Sequence, residues 1–105
     1  NMSATIKALD SLDKILKNLI ECANDNFYNV IITSDHGNCE TMLDANNNPL
    51  FNNTNNPVPF IILDKKITLR EKGDLTNVAP TLLKYMDIKI PETMQNTKNL
   101  ILDDM

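Results

Sequence analysis

The amphipathic pattern near the start of the chain constrains its fold more than any other feature of the sequence. Between Ser3 and Ala23, apolar residues recur every three or four positions, which places them on one face of an α-helix. They are Ile6, Leu9, Leu12, Ile15, Leu16, Leu19, Ile20 and Ala23. Charged residues occupy the opposite face, including Asp10 and Lys14 in the favourable acid-first order. The pattern predicts a long helix with one buried face.

A short apolar run follows this helix. The polar residues 24–26 end the helix, and residues 29–33 form a continuous run rich in β-branched side chains. A strand that is apolar on both faces is usually a parallel strand covered by helices. A helix followed by such a strand is typical of half a βαβ unit, so the two segments predict an α/β fold.

The second half of the chain carries weaker signals. Pro57 and Pro59 confine strand pairing to residues 60–63, after an Asn-rich loop at residues 44–56. Thr76 is the expected cap of a second helix that continues to Met86, with Pro80 tolerated only near the first turn. Short strands are expected at residues 67–69 and 100–102.

Composition limits the classes of function. With 105 residues, 42% of them hydrophobic, the chain is expected to form one small domain. A net charge of −4 and the absence of a Lys/Arg cluster argue against nucleic acid as a partner.

No apolar run approaches the ~20 residues that span a bilayer, and no signal peptide is recognisable, so we expect a soluble, cytoplasmic protein without a membrane partner. Cys22 and Cys39 lack CxxC spacing and are expected to be reduced thiols.

The segment Thr33 to Thr41, TSDHGNCET, contains the residues with the most distinctive chemistry. Asp35 and His36, the only histidine, lie at the carboxyl end of the predicted strand, where ligands of open α/β sheets bind. A turn with positive φ at Gly37 would let both side chains converge. A carboxylate with an imidazole suits Mn²⁺ or Zn²⁺ and metal-assisted phosphoryl chemistry. An ordinary turn, in which Asp35 bonds its own backbone, fits the same residues, and two ligands alone do not complete a metal site.

The residues that follow the pair allow two interpretations. Asn38 and Glu40 either orient His36 as a metal ligand or form a solvated face. Nothing in the sequence indicates that the Cys39 thiol is activated, so we interpret it as structural.

Five ordered blocks resemble one known family. They are ATIKALDSLDKIL, IITSDHGNCETM, NPVPFIIL, LREKGDLTNVAPTLL and PETMQNTKNLI. Together they are similar to the C-terminal part of cofactor-independent phosphoglycerate mutase, a member of the alkaline phosphatase superfamily. The resemblance covers almost the whole chain.

The resemblance implies a fold and a reaction. Residues 1–105 would be the C-terminal portion of the metal-binding phosphatase domain, a fragment of an α/β three-layer domain with a mostly parallel sheet flanked by helices. The upstream remainder and the inserted substrate domain are absent, and the opening Asn1-Met2 fits a sequence that begins inside a longer chain. The complete enzyme would be a monomer in glycolysis. It would hold two Mn²⁺ ions and interconvert 3-phosphoglycerate and 2-phosphoglycerate through a phosphoserine.

The resemblance also assigns roles to individual residues. Asp35 and His36 match the Asp-His pair that ligates one metal. The family usually carries a His-Thr-Ala-His-Thr run before Asn-Pro-Val-Pro-Phe, and here Leu50 and Asn53 take the places of its two histidines. The second histidine ligates the other metal, and an amide oxygen is a weaker ligand than imidazole, so Asn53 is expected to weaken that site. The serine nucleophile has no counterpart in this chain, which alone is expected to be inactive.

Two alternatives remain open. Phosphopentomutases, phosphatases and nucleotide pyrophosphatases of the same superfamily also carry an Asp-His-Gly turn after a strand. The substitution at Asn53 also fits a degenerate, non-catalytic remnant that binds a partner. As a fragment, the isolated chain is expected to expose strand edges and an apolar helix face, and therefore to be marginally stable and prone to associate.

Overall fold

The computed structural model describes residues 1–50 and 52–102. The chain divides into two compact units, one from Asn1 to Leu63 and one that begins at Asp64. The first unit contains α1 (Met2–Asp25), β1 (Ile31–Thr33) and β2 (Phe60–Ile62), and the second contains β3 (Thr68–Leu69), α2 (Val78–Tyr85) and β4 (Ile101–Leu102). Within the described residues, no helix combines the length and the apolar character needed to cross a membrane.

Helix α1 confirms the amphipathic pattern of the sequence. It begins after Asn1, whose side-chain oxygen accepts a hydrogen bond from the Ala4 amide at 3.3 Å and so satisfies a free N–H of the first turn. The expectation of a buried face is wrong for this chain, because no residue of α1 is buried. Ile6 is 58% exposed and Leu19 is 61% exposed. The structure therefore shows an apolar helix face without a cover, as expected for a fragment.

Strands β1 and β2 confirm the two expected apolar strands but not a parallel arrangement. They pair antiparallel, with Ile32 opposite Ile61 and Thr33 opposite Phe60. The Thr33 hydroxyl donates to the Pro59 carbonyl at 2.9 Å and extends this pairing. Parallel strands need a crossover, usually a helix, and the described part of the connection between β1 and β2 contains none. An α/β composition is present, whereas the described residues do not form a three-layer domain with a mostly parallel sheet.

The connection between β1 and β2 folds back on itself. Leu43 pairs with Pro49, and the Leu50 amide donates to the Met42 carbonyl at 2.8 Å. The Asp44 carboxylate accepts from the amides of Asn46 and Asn48 at 2.8 and 2.9 Å, which closes the turn at the start of the Asn-rich segment. The segment predicted as a loop is thus partly organised by local hydrogen bonds.

The second unit contains the second predicted helix with a different cap. The Asp74 carboxylate, rather than Thr76, caps a short 3₁₀ turn at Leu75–Asn77, and Thr76 donates to it through its amide at 2.9 Å. Helix α2 continues directly from this turn, so Pro80 lies in its first turn, as expected. Strands β3 and β4 pair antiparallel with Leu69 opposite Ile101, which confirms the two short predicted strands.

Thr81 connects α2 to the segment before β4. Its side chain is completely buried, donates to the Asn77 carbonyl at 2.6 Å and accepts from the Leu100 amide at 2.8 Å. Leu100 itself is only 7% exposed and approaches Gly73 so closely that a Cβ there would lie 2.6 Å from its Cδ2 atom. One hydroxyl therefore satisfies a buried amide that the strand pairing leaves free.

We expect Thr81→Val to destabilise the second unit by about 1–3 kcal/mol, because valine keeps the shape but leaves the Leu100 amide buried without an acceptor. Urea denaturation and hydrogen exchange at the Leu100 amide measure the effect. The matched control is Thr68→Val on the exposed strand β3, which should change stability by less than about 0.5 kcal/mol. Equal effects of the two substitutions would contradict the role given to the Thr81 hydroxyl.

Candidate metal centre

The turn after β1 brings Asp35 and His36 together. The Ser34 hydroxyl donates to the His36 carbonyl at 2.8 Å and lies 3.4 Å from the His36 amide, so Ser34 closes the turn through its own side chain. The expected positive φ at Gly37 is wrong, because no glycine of the described chain has one. The two side chains converge because Ser34 bends the backbone one residue before Asp35.

The carboxylate and the imidazole face each other. Asp35 Oδ1 lies 3.4 Å from His36 Nε2, with side chains 82% and 42% exposed. His36 Nδ1 lies 3.0 Å from the Gly37 carbonyl oxygen, which only accepts hydrogen bonds, so this contact assigns a proton to Nδ1. In the neutral ring, Nε2 then carries a lone pair directed toward a carboxylate oxygen. A proton or a cation between the two atoms would satisfy both of them, and the exposure of the side chains also gives water access to each.

The donor pair fits part of a metal site. Two ligands of a tetrahedral ion such as Zn²⁺, bonded at about 2.1 Å, stand about 3.4 Å apart, and the separation of Oδ1 and Nε2 is 3.4 Å. The ordinary turn, in which Asp35 bonds its own backbone, is not observed: among the described residues, Ser34 makes the turn hydrogen bonds. However, no group of three His, Cys, Asp or Glu side chains able to hold a metal occurs in residues 1–50 and 52–102. A complete site would need further ligands.

A second segment, residues 52–56, lies against this turn. The Gly37 amide donates to the Thr54 carbonyl at 3.2 Å, and the Thr54 amide donates back at 2.9 Å. A Cβ at Gly37 would lie 2.1 Å from both Glu40 Oε1 and Thr54 Oγ1. A larger residue here would require the Glu40 and Thr54 side chains to shift, so the glycine serves a close approach of side chains and not a positive φ.

Glu40 is the main acceptor between the two segments. Its Oε2 accepts from the Asn38 amide at 2.7 Å, and its Oε1 accepts from the Thr54 hydroxyl and from Asn56 Nδ2, the latter at 3.3 Å. The hydrogen bond from Thr54 is the largest of the effects that lower the pKa of Glu40 to about 2. The idea that Asn38 and Glu40 orient His36 directly is not supported, because in the described structure their hydrogen bonds go to other residues.

The side chain of Asn53 is hydrogen-bonded to Asn38, which lies just after the turn that carries Asp35 and His36. Its side-chain oxygen accepts from Asn38 Nδ2 at 3.3 Å, and one lone pair of that oxygen remains for another partner. Leu50, at the place of the other family histidine, is half-buried and offers no ligand atom. Cys39 is exposed and free, and its sulfur lies 3.7 Å from Asn38 Oδ1.

Two residues that hold this region together were not found by sequence reasoning. Thr54 and Asn56 contact Glu40 across a separation of 14 and 16 residues. Asn56 Nδ2 also donates to Thr41 Oγ1 at 3.0 Å. The two residues share a local turn contact, in which the Thr54 hydroxyl accepts from the Asn56 amide at 3.3 Å. Their contacts with Glu40 depend on the three-dimensional return of the connection, which no periodic pattern encodes.

Comparison with known proteins defines the class. A family model described as the metalloenzyme superfamily matches residues 1–90. Because that match covers most of the chain, the chain belongs to the metalloenzyme superfamily.

Curated relatives within this class are more specific. Over 94 residues, the chain is 43% identical to the 2,3-bisphosphoglycerate-independent phosphoglycerate mutase of Mycoplasma genitalium. The aligned region covers 90% of this chain and 18% of the relative. The enzyme of the same name from Mycoplasmoides gallisepticum is 46% identical over 95 residues, 90% of this chain and 19% of the relative. That of Flavobacterium psychrophilum is 43% identical over 101 residues, 96% of this chain and 20% of the relative. The expected resemblance to this family is confirmed, and the chain spans about a fifth of the length of these relatives.

The Glu40 network predicts a defined pH dependence. Because the pKa of Glu40 is lowered from 4.5 to about 2, its stabilising contribution is complete above pH 4.5 and is lost as the pH falls toward 2. We expect Thr54→Val to raise the pKa of Glu40 toward 4.5, because it removes the largest cause of the shift. Carboxyl chemical shifts followed by NMR from pH 6 downwards measure this change.

The matched control is Thr41→Val, which removes a neighbouring hydroxyl that contacts Asn56 and not the Glu40 carboxylate. Its effect on the pKa of Glu40 should be smaller than that of Thr54→Val. The assignment of the network fails if both variants titrate alike at Glu40.

Proposed function

We propose that this chain is the C-terminal portion of the metal-binding domain of a phosphoglycerate mutase, which interconverts 3-phosphoglycerate and 2-phosphoglycerate within a longer polypeptide. The observation that carries the proposal is the 3.4 Å approach of Asp35 Oδ1 and His36 Nε2, in a chain 43% identical to a curated enzyme of that name. A metal cation is one partner that would satisfy both acceptors at once. The reaction belongs to glycolysis, in the cytoplasm, and passes through a phosphoserine.

The fold supports a role as one part of a larger domain. The exposed apolar face of α1 and the free edges of two short sheets suit a three-layer domain with a mostly parallel sheet, in which further elements would cover them. The described chain contributes two metal donors, fewer than a catalytic metal needs. The chain alone is therefore proposed to be inactive, and the complete enzyme to be a monomer.

The residues of the turn have distinct roles in this proposal. Asp35 Oδ1 and His36 Nε2 would hold one of two Mn²⁺ ions, while the Gly37 carbonyl keeps the His36 proton on Nδ1 and Ser34 fixes the turn. When bound, the metal would polarise a phosphate oxygen. The anionic carboxylate lowers the cost of placing a cation beside an uncharged imidazole, and the fixed tautomer leaves Nε2 available as a donor.

The proposal is tested in the full-length protein that carries this sequence. We expect it to convert 3-phosphoglycerate to 2-phosphoglycerate, and Asp35→Asn and His36→Gln each to lower Mn²⁺ affinity at least about tenfold and kcat/KM about a hundredfold or more. Asp13→Asn on exposed α1 is the matched control and should change neither. Coupled enzymatic assay and Mn²⁺ titration followed by electron paramagnetic resonance measure the effects. Activity on pentose phosphates but not on phosphoglycerate would instead assign a phosphopentomutase-like reaction.

The Asn53 position tests whether the second metal site is degenerate. We expect Asn53→His in the same full-length protein to raise the affinity for the second Mn²⁺ ion about tenfold or more, because imidazole is a stronger ligand than an amide oxygen. Asn52→His, one residue earlier and also exposed, is the matched control. If the unmodified protein already binds two Mn²⁺ ions tightly and the substitution changes nothing, a non-catalytic remnant is excluded on this ground.

A further inference from the structure

The two segments that carry the candidate ligands have little regular structure to fix them. Asp35 and His36 follow β1 directly, and Asn53 lies in the segment 52–56, outside every helix and strand of the described chain. Two backbone hydrogen bonds between Gly37 and Thr54 join these segments. The free energy needed to open exposed loops is small when so few hydrogen bonds hold them. Additional contacts are needed to give Asn53 a fixed position relative to the turn.

Glu40 supplies those contacts through its two oxygens. Oε2 accepts from the Asn38 amide, on its own segment, whereas Oε1 accepts from Thr54 and Asn56, on the opposite segment. An ionised carboxylate accepts hydrogen bonds at both oxygens and donates none. An amide of the same shape presents only one acceptor oxygen, so it can satisfy the donors on one segment but not those on both.

Gly37 shows how closely the carboxylate is placed. A Cβ at this position would lie 2.1 Å from Glu40 Oε1, so the carboxylate occupies the space of a side chain at residue 37. In the described structure, the hydrogen bonds of Glu40 to other residues go to Asn38, Thr54 and Asn56 and do not reach Asp35 or His36. The hydrogen bonds of Glu40 therefore bear on the relative position of the two segments.

We infer that Glu40 is a positioning residue, whose carboxylate fastens the segment 52–56 to the turn that carries Asp35 and His36 and so fixes the side chain of Asn53 for a metal ion. The inference rests on the proposed function for the identity of the ion, and on the hydrogen bonds of Glu40 for the fastening. Asn38 completes the arrangement, because its side-chain amide donates to Asn53 Oδ1 and its backbone amide donates to Glu40 Oε2.

The first measurement concerns the fastening and needs no metal. In the full-length protein, we expect Glu40→Gln to speed hydrogen exchange at the Gly37 and Thr54 amides about tenfold or more, because these amides form the backbone pair between the segments. Glu21→Gln on exposed α1 is the matched control and should leave both rates unchanged. Unchanged exchange in Glu40→Gln would overturn the inference.

The second measurement concerns the coupling to the metal. We expect Glu40→Gln to weaken binding of the second Mn²⁺ ion about tenfold, by analogy with the loss of other groups that orient ligands. The same substitution in an Asn53→Ala background should have no further effect, because the position of the removed ligand no longer matters. An equal loss in both backgrounds would show that Glu40 acts elsewhere and would overturn the positioning role.

The two measurements separate this inference from the proposed function. A full-length protein that binds no Mn²⁺ and does not convert phosphoglycerate refutes the proposed function, and hydrogen exchange then still decides the fastening. A protein that is active and binds Mn²⁺, but whose Glu40→Gln variant keeps the exchange rates and affinity of the unmodified protein, refutes only the role of Glu40. Thermal unfolding of each variant, measured alongside, confirms that the compared proteins are folded.

Discussion

The approach of Gly37 to Thr54 is the contact on which the candidate site depends. Two backbone hydrogen bonds bring the turn after β1 and the segment 52–56 to the same place. The carboxylate of Glu40 lies directly over Gly37, in space that any other residue would fill with its own Cβ. A small residue, a short backbone pair and one ionised side chain therefore form a single unit. We therefore expect the removal of any one of them to weaken the others, since each contact holds the remaining two in reach.

The apolar face of α1 has no cover in the described structure. Helices in proteins owe most of their stability to packing of an apolar face, and no residue of α1 is buried. The two strand pairs are two and three residues long, shorter than typical strands. Local signals form these elements, whereas few of the apolar side chains in the described residues are buried. A chain that spans about a fifth of its curated relatives fits this imbalance.

Local signals in the sequence predicted the elements well and their assembly poorly. Helical periodicity placed α1, and β-branched runs with flanking prolines placed β1 and β2, because these patterns depend on neighbours along the chain. The antiparallel pairing of β1 with β2 depends on how the connection folds back, which no periodicity encodes. The cap at Asp74 was missed because Thr76, two residues later, is also a good cap by type. Likewise, the Asp-His pair was found from its position after a strand, whereas Thr54 and Asn56 act across 14 and 16 residues.

Asn53 shows why the strength of a ligand and the position of a ligand should be considered separately. Its side-chain oxygen accepts from Asn38 at 3.3 Å, a role that a ring nitrogen of histidine also fills when it carries a lone pair. The contacts that place the segment come from Thr54, Asn56 and Glu40, and none of them uses the side chain of residue 53. Under the proposed function, an amide at residue 53 would be a weaker ligand than imidazole, while the hydrogen bonds that place the segment would stay the same. A weak ligand in an intact framework is in this way distinct from the loss of the framework itself.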